Sequence, residues 1–316
     1  MTMRLNAGRG LARTAAAALL LAGAAVRTES AGGSPESVPD LIAALSAPAA
    51  AVRLRAAEAL GGKGPAAKEA VPRIVRALKD PDPGVRAAAA AALGRLGPTA
   101  GDAAAALAVL TRDPAQDVRL HAVWALGNLG PRAAGALPEL SRALGDGDPF
   151  VRENAAWSLG MVGPAAGSAA PELIRALTDE ASHVRERAAG AIGAAGLKSK
   201  AALDALIFAL GDKNPDVRMS AATSLGSLER AAAPAVPGLI ARLKDPDSYV
   251  RMSAALALER MGPEAAGPAV PALIGTLDDE DPLVRLSAAD ALGDMGEAAH
   301  AAATARRMAQ PRPRLR

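Results

Sequence analysis

Residues 118–130 read VRLHAVWALGNLG, and the same frame returns at 151–163 as VRENAAWSLGMVG. It occurs upstream as VRLRAAEALGGKG from Val52 and VRAAAAAALGRLG from Val85. Downstream it runs as VRERAAGAIGAAG from Val184, VRMSAATSLGSLE from Val217, VRMSAALALERMG from Val250 and VRLSAADALGDMG from Val284. The spacing is 33 residues six times and then 34. A fixed period of this length is the mark of a stacked array, in which each unit buries its apolar face only against its neighbours.

Counting the Val as position 0 and turning about 100° per residue, positions 0, 4, 7, 8 and 11 fall on one arc, so each motif is an amphipathic helix. Gly followed by Pro closes most of them, at Gly64-Pro65, Gly97-Pro98, Gly130-Pro131, Gly163-Pro164 and Gly262-Pro263. Glycine supplies the left-handed cap, and proline cannot continue the helix. A shorter apolar segment precedes most motifs (VPDLIAAL, VPRIVRAL, LPELSRAL, APELIRAL, VPGLIARL, VPALIGTL), with proline where the first turn has no use for its missing N–H. The expected unit is therefore two helices joined by a turn rich in Asp and Pro, such as Asp80-Pro81-Asp82-Pro83.

Composition agrees with packed helices. Half of the 316 residues are apolar but only 2% are aromatic, so the core must be built from Ala, Leu and Val. Cysteine is absent, which removes disulfides, thiolate metal sites and cysteine nucleophiles. Residues 1–31 carry four Arg against one Glu, with an apolar stretch from Thr14 to Val26 after Arg4, Arg9 and Arg13. That pattern is expected to be an export signal, with Ala22-Gly23-Ala24 as its cleavage site and an exported, periplasmic or extracellular product lacking a membrane span; the alternative is a dispensable Ala-rich leader on a cytoplasmic protein. The tail 298–316 adds five Arg and no acid, and is expected to cover the end of the last repeat. The body, 32–297, is left with 27 basic and 32 acidic residues, a net charge of −5. Nucleic-acid binding is the third and least expected function, because proteins of that kind concentrate positive charge on the folded surface.

An Asp stands six residues before the motif Arg in seven units: Asp80/Arg86, Asp113/Arg119, Asp146/Arg152, Asp179/Arg185, Asp212/Arg218, Asp245/Arg251 and Asp279/Arg285. On the helical wheel the Arg lies at the edge of the buried arc, where its fork could reach the Asp of its own or a neighbouring unit and form a structural ladder. Pro39, Pro72, Pro138, Pro171, Pro237 and Pro271 each lie eight residues before the Asp position. Proline, Asp and Arg in this register resemble HEAT repeats, in particular the short HEAT-like repeats first associated with phycobilisome lyases. The resemblance runs from about Val38 to Gly296 and departs at Ala47, which stands in the Asp position, and at Ala105 and Asp204, which stand in the Pro position. It implies an all-α fold, an α-solenoid forming a right-handed superhelix of about eight two-helix HEAT-like repeats.

Residues that could carry chemistry are few. The three histidines, His121, His183 and His300, are not paired at metal-ligand spacing. Deoxyhypusine hydroxylases, which also have HEAT-like repeats, carry His-Glu pairs that hold iron, and this sequence has no His-Glu dipeptide. No phosphate loop, dinucleotide fingerprint or nucleophile elbow is present. The chain is therefore expected to be non-catalytic and without cofactor, a scaffold for a protein or peptide partner. The alternative is a subunit or relative of a HEAT-like enzyme, bilin-lyase-like or hydroxylase-like. In an α-solenoid the second helices line the concave, partner-binding surface. The centre of their exposed arc is position 6, and the protein's two tryptophans, Trp124 and Trp157, occupy it in adjacent repeats. Around them fall Leu120, His121, Asn128, Glu153, Asn154 and Met161, with Phe150 and His183 at the starts of neighbouring second helices. Met219, Met252, Leu256 and Leu286 form a secondary apolar track. The residues point equally to a binding hot spot and to rings that fill space left by small alanines.

Overall fold

A computed structural model describes residues 37–296; the leader, the tail and His300 lie outside the described residues. From Val38 onward the chain is a succession of helix pairs with no strand among the described residues, an α-solenoid. The second helices are Ala50–Gly62, Pro83–Leu96, Gln116–Leu129, Pro149–Val162, Ser182–Ala194, Pro215–Ser227, Ser248–Met261 and Pro282–Asp294, and each packs on the next. The first helices include Val71–Ala77, Ala104–Leu110, Leu137–Ala143 and Ala170–Ala176, each packed on the second helix of its own pair.

The core follows the wheel. Val85, Val118, Val151, Val184, Val217, Val250 and Val284 at position 0 are fully buried, and so are Ala56, Ala89, Ala122, Ala155, Ala188, Ala221, Ala254 and Ala288 at position 4. Val52, the same position in the first repeat, is 43% exposed, with no repeat before it among the described residues. Burial of each leucine at position 8 contributes about 2 kcal/mol.

Gly64, Gly97, Gly130, Gly163, Gly196, Gly262 and Gly296 close second helices in the left-handed region, with φ between 54° and 78°. A 3-10 segment that the periodicity did not disclose then leads into the next first helix, at Gly64–Ala70, Gly97–Ala103, Gly130–Ala136, Gly163–Ala169 and Glu229–Ala235. Pro72, Pro138, Pro171 and Pro237 take the first turn of a first helix, as expected. Pro271 does not: it lies inside the continuous α-helix Pro263–Thr276. The 34-residue spacing explains the difference. A 3-10 helix rises about 2.0 Å per residue against about 1.5 Å for an α-helix, so winding this connection wholly as α absorbs the extra residue at little change in length.

The turns are built from two acids with separate tasks. Asp82, Asp148, Asp247 and Asp281 cap the second helices by accepting backbone N–H groups, and Asn214 does the same. The preceding Asp belongs to the ladder, and its partner is the Arg of the repeat before. Seven forks close bidentately: Arg53 on Asp80, Arg86 on Asp113, Arg119 on Asp146, Arg152 on Asp179, Arg185 on Asp212, Arg218 on Asp245 and Arg251 on Asp279. The nearest N···O distances are 2.6–2.8 Å. The remaining Nη1 donates to backbone carbonyls of the Arg's own turn, as Arg86 does to Asp80 at 2.9 Å. One guanidinium thus ties two turns together, which a lysine cannot do. Arg285, at the last repeat, donates only to the carbonyls of Asp279 and Glu280 among the described residues.

Candidate partner-binding face

A second repeating contact fixes how the second helices meet. Position 9 is glycine at Gly61, Gly94, Gly127, Gly160, Gly193, Gly226 and Gly293. A Cβ placed on Gly61 would lie 2.9 Å from the Cα of Ala92, and one on Gly226 would lie 2.8 Å from the Cα of Ala257. Real side chains do not approach that closely, so only glycine lets position 7 of the next helix come this near. Position 7 is usually Ala. Where it is Ser, the hydroxyl donates back across the seam, from Ser158 to the Val123 carbonyl and from Ser224 to that of Ala189, each at 2.8 Å.

The tryptophans use the same glycines. A Cβ on Gly94 would lie 2.5 Å from Cζ3 of Trp124, and Trp157 stands equally close over Gly127. Each six-membered ring therefore rests on the bare backbone of the preceding helix. Both tryptophans are half-buried: they pack between repeats and still present part of their surface to solvent. Sequence periodicity puts both in one slot of adjacent repeats but does not show the packing, because the receiving glycine stands thirty residues earlier. The recurrent Leu-Gly pair was the signal for it.

The other expected face residues divide by environment. Met161 is 48% exposed and Phe150 54% exposed, which makes them the open apolar groups next to the tryptophans. Leu120 is half-buried against the core. His121, Asn128 and Asn154 are also half-buried, and each bonds to a carbonyl one turn back on its own helix, Asp117, Trp124 and Phe150 respectively. Glu153 is not on the open surface: it is only 9% exposed, because Arg187 of the next helix lies over it with Nε 3.4 Å from Oε1. Met219, Met252 and Leu256 are half-buried and Leu286 is 53% exposed.

Phe150 stacks on His183 of the next repeat, ring centroids 5.4 Å apart and planes 19° from parallel. The His183 Nε2 is buried without a hydrogen-bond partner, 3.9 Å from Oε2 of Glu153. Arg187 also approaches Glu186, 3.7 Å away. Burial first, then the charges of Asp216 and Glu153, push the Glu186 carboxyl above its usual value, while Arg187 and His183 pull it down. Sequence reading did not single out Glu186, Arg187 or Asp216.

No group of three or more His, Asp and Glu able to hold a metal occurs among the described residues. No described helix is long and apolar enough to cross a membrane. Two surface depressions, one bounded by Asp245, Arg251, Pro271 and Asp279 and the other by Pro138, Arg142 and Asp179, lie along the ladder, away from the tryptophans.

The fold has solved counterparts. An engineered protein is 23% identical with a TM-score of 0.62, the match covering 84% of this chain and 82% of that one. YibA of Escherichia coli is 21% identical with a TM-score of 0.57, over 85% of this chain and 99% of that one. A chain of the Kap95:Nup1 complex is 18% identical with a TM-score of 0.59, over 87% of this chain and 44% of that one. At these identities the likeness is one of fold. No curated protein matches the chain. The family model described as HEAT repeats matches residues 38–108, 103–191, 170–259 and 236–316, and with its period, its Arg–Asp ladder and its helix pairs the chain belongs to the HEAT-repeat family.

Proposed function

We propose that this protein is a non-catalytic scaffold that binds a protein partner on the face formed by its second helices in repeats three to five. One observation carries the reading: Trp124, Trp157, Phe150 and Met161, large side chains in a protein with few of them, are gathered in neighbouring repeats and left partly or largely open. Anchors of this type, set among polar groups on a rigid support, dominate the energetics of protein interfaces. The finer likeness to the repeats of phycobilisome lyases rests on the Pro, Asp and Arg register, which is structural, and supplies no site for bilin chemistry. The basic, apolar leader supports export as the setting.

The test is crosslinked capture from native cells with wild type and two variants. Trp124→Ala/Trp157→Ala removes packing as well as surface, so Phe150→Ser/Met161→Ser, which changes two exposed side chains and loses only the Phe150–His183 stack, is the cleaner probe. A partner that is held by the wild type and lost by both variants supports the face. A partner held equally by all three overturns it. A metal or chromophore bound to the purified protein would overturn the non-catalytic reading.

A further inference from the structure

The tryptophan row stops one repeat short of where the backbone could carry it. Position 6 of one repeat leans over the position-9 glycine of the repeat before. Trp124 covers Gly94 and Trp157 covers Gly127, and both glycines are buried. The next slot has Gly160 below and Gly190 where the third ring would be, so no side chain fills it, and Gly160 is half-exposed. A Cβ on Gly190 would meet nothing nearer than the Ser220 Oγ at 3.5 Å. The result is a notch floored by glycine, with Trp157 in the neighbouring slot, exposed Met161 and Ala194 at one end, and Glu186 and Arg187 one helical turn away at the other.

The notch is charged as well as open. Glu153 and Glu186 flank the single guanidinium of Arg187, the His183 imidazole stands beside Glu153, and the negative charge of Asp216 acts on Glu186. Glu153 and Arg187 largely satisfy each other, and the surplus is negative. It lies within a body whose net charge is −5. An occupant of this slot must bring a slender apolar stem, a flat or compact head that can lie against an indole, and positive charge.

Resting on the scaffold reading above, we propose that the notch over Gly160 and Gly190 is a subsite for an arginine or lysine side chain from a basic segment of the protein partner, the cation lying against Trp157 and answered by Glu186 and Asp216. A purely apolar segment would leave those carboxylates unanswered, and an acidic one would be repelled.

The experiment uses fluorescence anisotropy with a labelled peptide of alternating arginine and alanine, its glutamate-and-alanine counterpart, and the full chain. The arginine peptide is expected to bind, more weakly as salt rises, and the glutamate peptide not to bind. Gly190→Trp fills the notch with the side chain already tolerated in the two preceding repeats and is expected to weaken binding about tenfold, the loss of a stacked cation. Glu186→Gln is expected to weaken it about threefold, and Glu69→Gln, an exposed acid on a 3-10 segment, to leave it unchanged. Failure of the arginine peptide to bind, or equal affinity for wild type and Gly190→Trp, overturns the notch. So does an effect of Glu69→Gln equal to that of Glu186→Gln, which would reveal unspecific attraction. A native partner still captured by Gly190→Trp but lost with Phe150→Ser/Met161→Ser would sink the notch and leave the scaffold standing.

Discussion

At the scale of single residues, the repeats show what each position is for by the places where one departs. Position 12 is glycine in seven repeats, each with positive φ, and Glu229 in the sixth, where φ is 54° all the same. The array dictates the left-handed turn, and the glutamate pays for it with a Cβ crowded against the following carbonyl, a cost of about 1 kcal/mol. Its side chain is exposed and has nothing to lose. Glu229→Gly is therefore expected to stabilise the protein by about 1 kcal/mol, less a few tenths for the freer unfolded chain. Urea unfolding reads this directly, and an unchanged or lowered midpoint would mean that the carboxylate makes a contact worth the strain. The turn glycines were legible in the sequence because Gly-Pro is a local signal. The burial of Glu153 was not, since Arg187 covers it from a different helix, and a wheel gives a direction without the partner.

At the scale of helices, the seams depend on the absence of side chains. Gly226 and Gly293 occupy the same position on helices of the same kind, yet they face different things: a Cβ on Gly226 would strike the backbone of the next helix, while one on Gly293 would meet nothing within 4 Å among the described residues. The same substitution should therefore have opposite signs. Gly226→Ala forces two helices apart and is expected to destabilise by about 1–3 kcal/mol. Gly293→Ala, in the last turn of Pro282–Asp294, removes backbone freedom from the unfolded chain and is expected to stabilise by about 0.5 kcal/mol. Measured by denaturant unfolding of the two variants side by side, a common sign would refute the seam as described. Helix pairs, their order and their buried arcs could be read from period and pattern because those are properties of one helix at a time. The 3-10 connections could not, because a segment such as Gly97–Ala103 is shaped by the gap it must cross between packed repeats, and the glycine seams left only the recurrent Leu-Gly pair as their trace.

At the scale of the whole molecule, a solenoid has no single core, and its cohesion is the sum of neighbour terms repeated along its length. The ladder is the most regular of these, and it makes the array sensitive to acid. Burial pushes the carboxyls of Asp113, Asp146, Asp179, Asp212 and Asp245 upward, but the arginine fork and a backbone N–H outweigh it and hold them below the usual range. For Asp80 and Asp279 the arginine bond is itself the largest influence, in the same downward direction. In the unfolded chain these acids titrate near about pH 3.9. Between that value and the lower folded one, the unfolded chain binds more protons than the native array, so stability is fully present above the unfolded value and is lost as pH falls through the folded one. Glu186 and Glu259 act in the opposite direction. Their carboxyls are raised, by burial first and then by neighbouring acids (Asp216 and Glu153 for one, Asp294 and Asp290 for the other), so protonating them favours the fold. The expected profile is level or slightly rising as pH falls from about 7 towards about 5, then steeply declining below about 4. Asp245→Asn provides the check. The Asp245 side chain is fully buried and bonded to Arg218, with Arg242 3.1 Å away, so losing its charge leaves Arg218 without its counter-ion. The variant should be weaker at neutral pH by about 3 kcal/mol, and its acid decline should be shallower by one carboxylate's share. An equal slope in variant and wild type would show that acid attacks something other than the ladder, and that the seams are held by the glycine contacts and buried leucines alone.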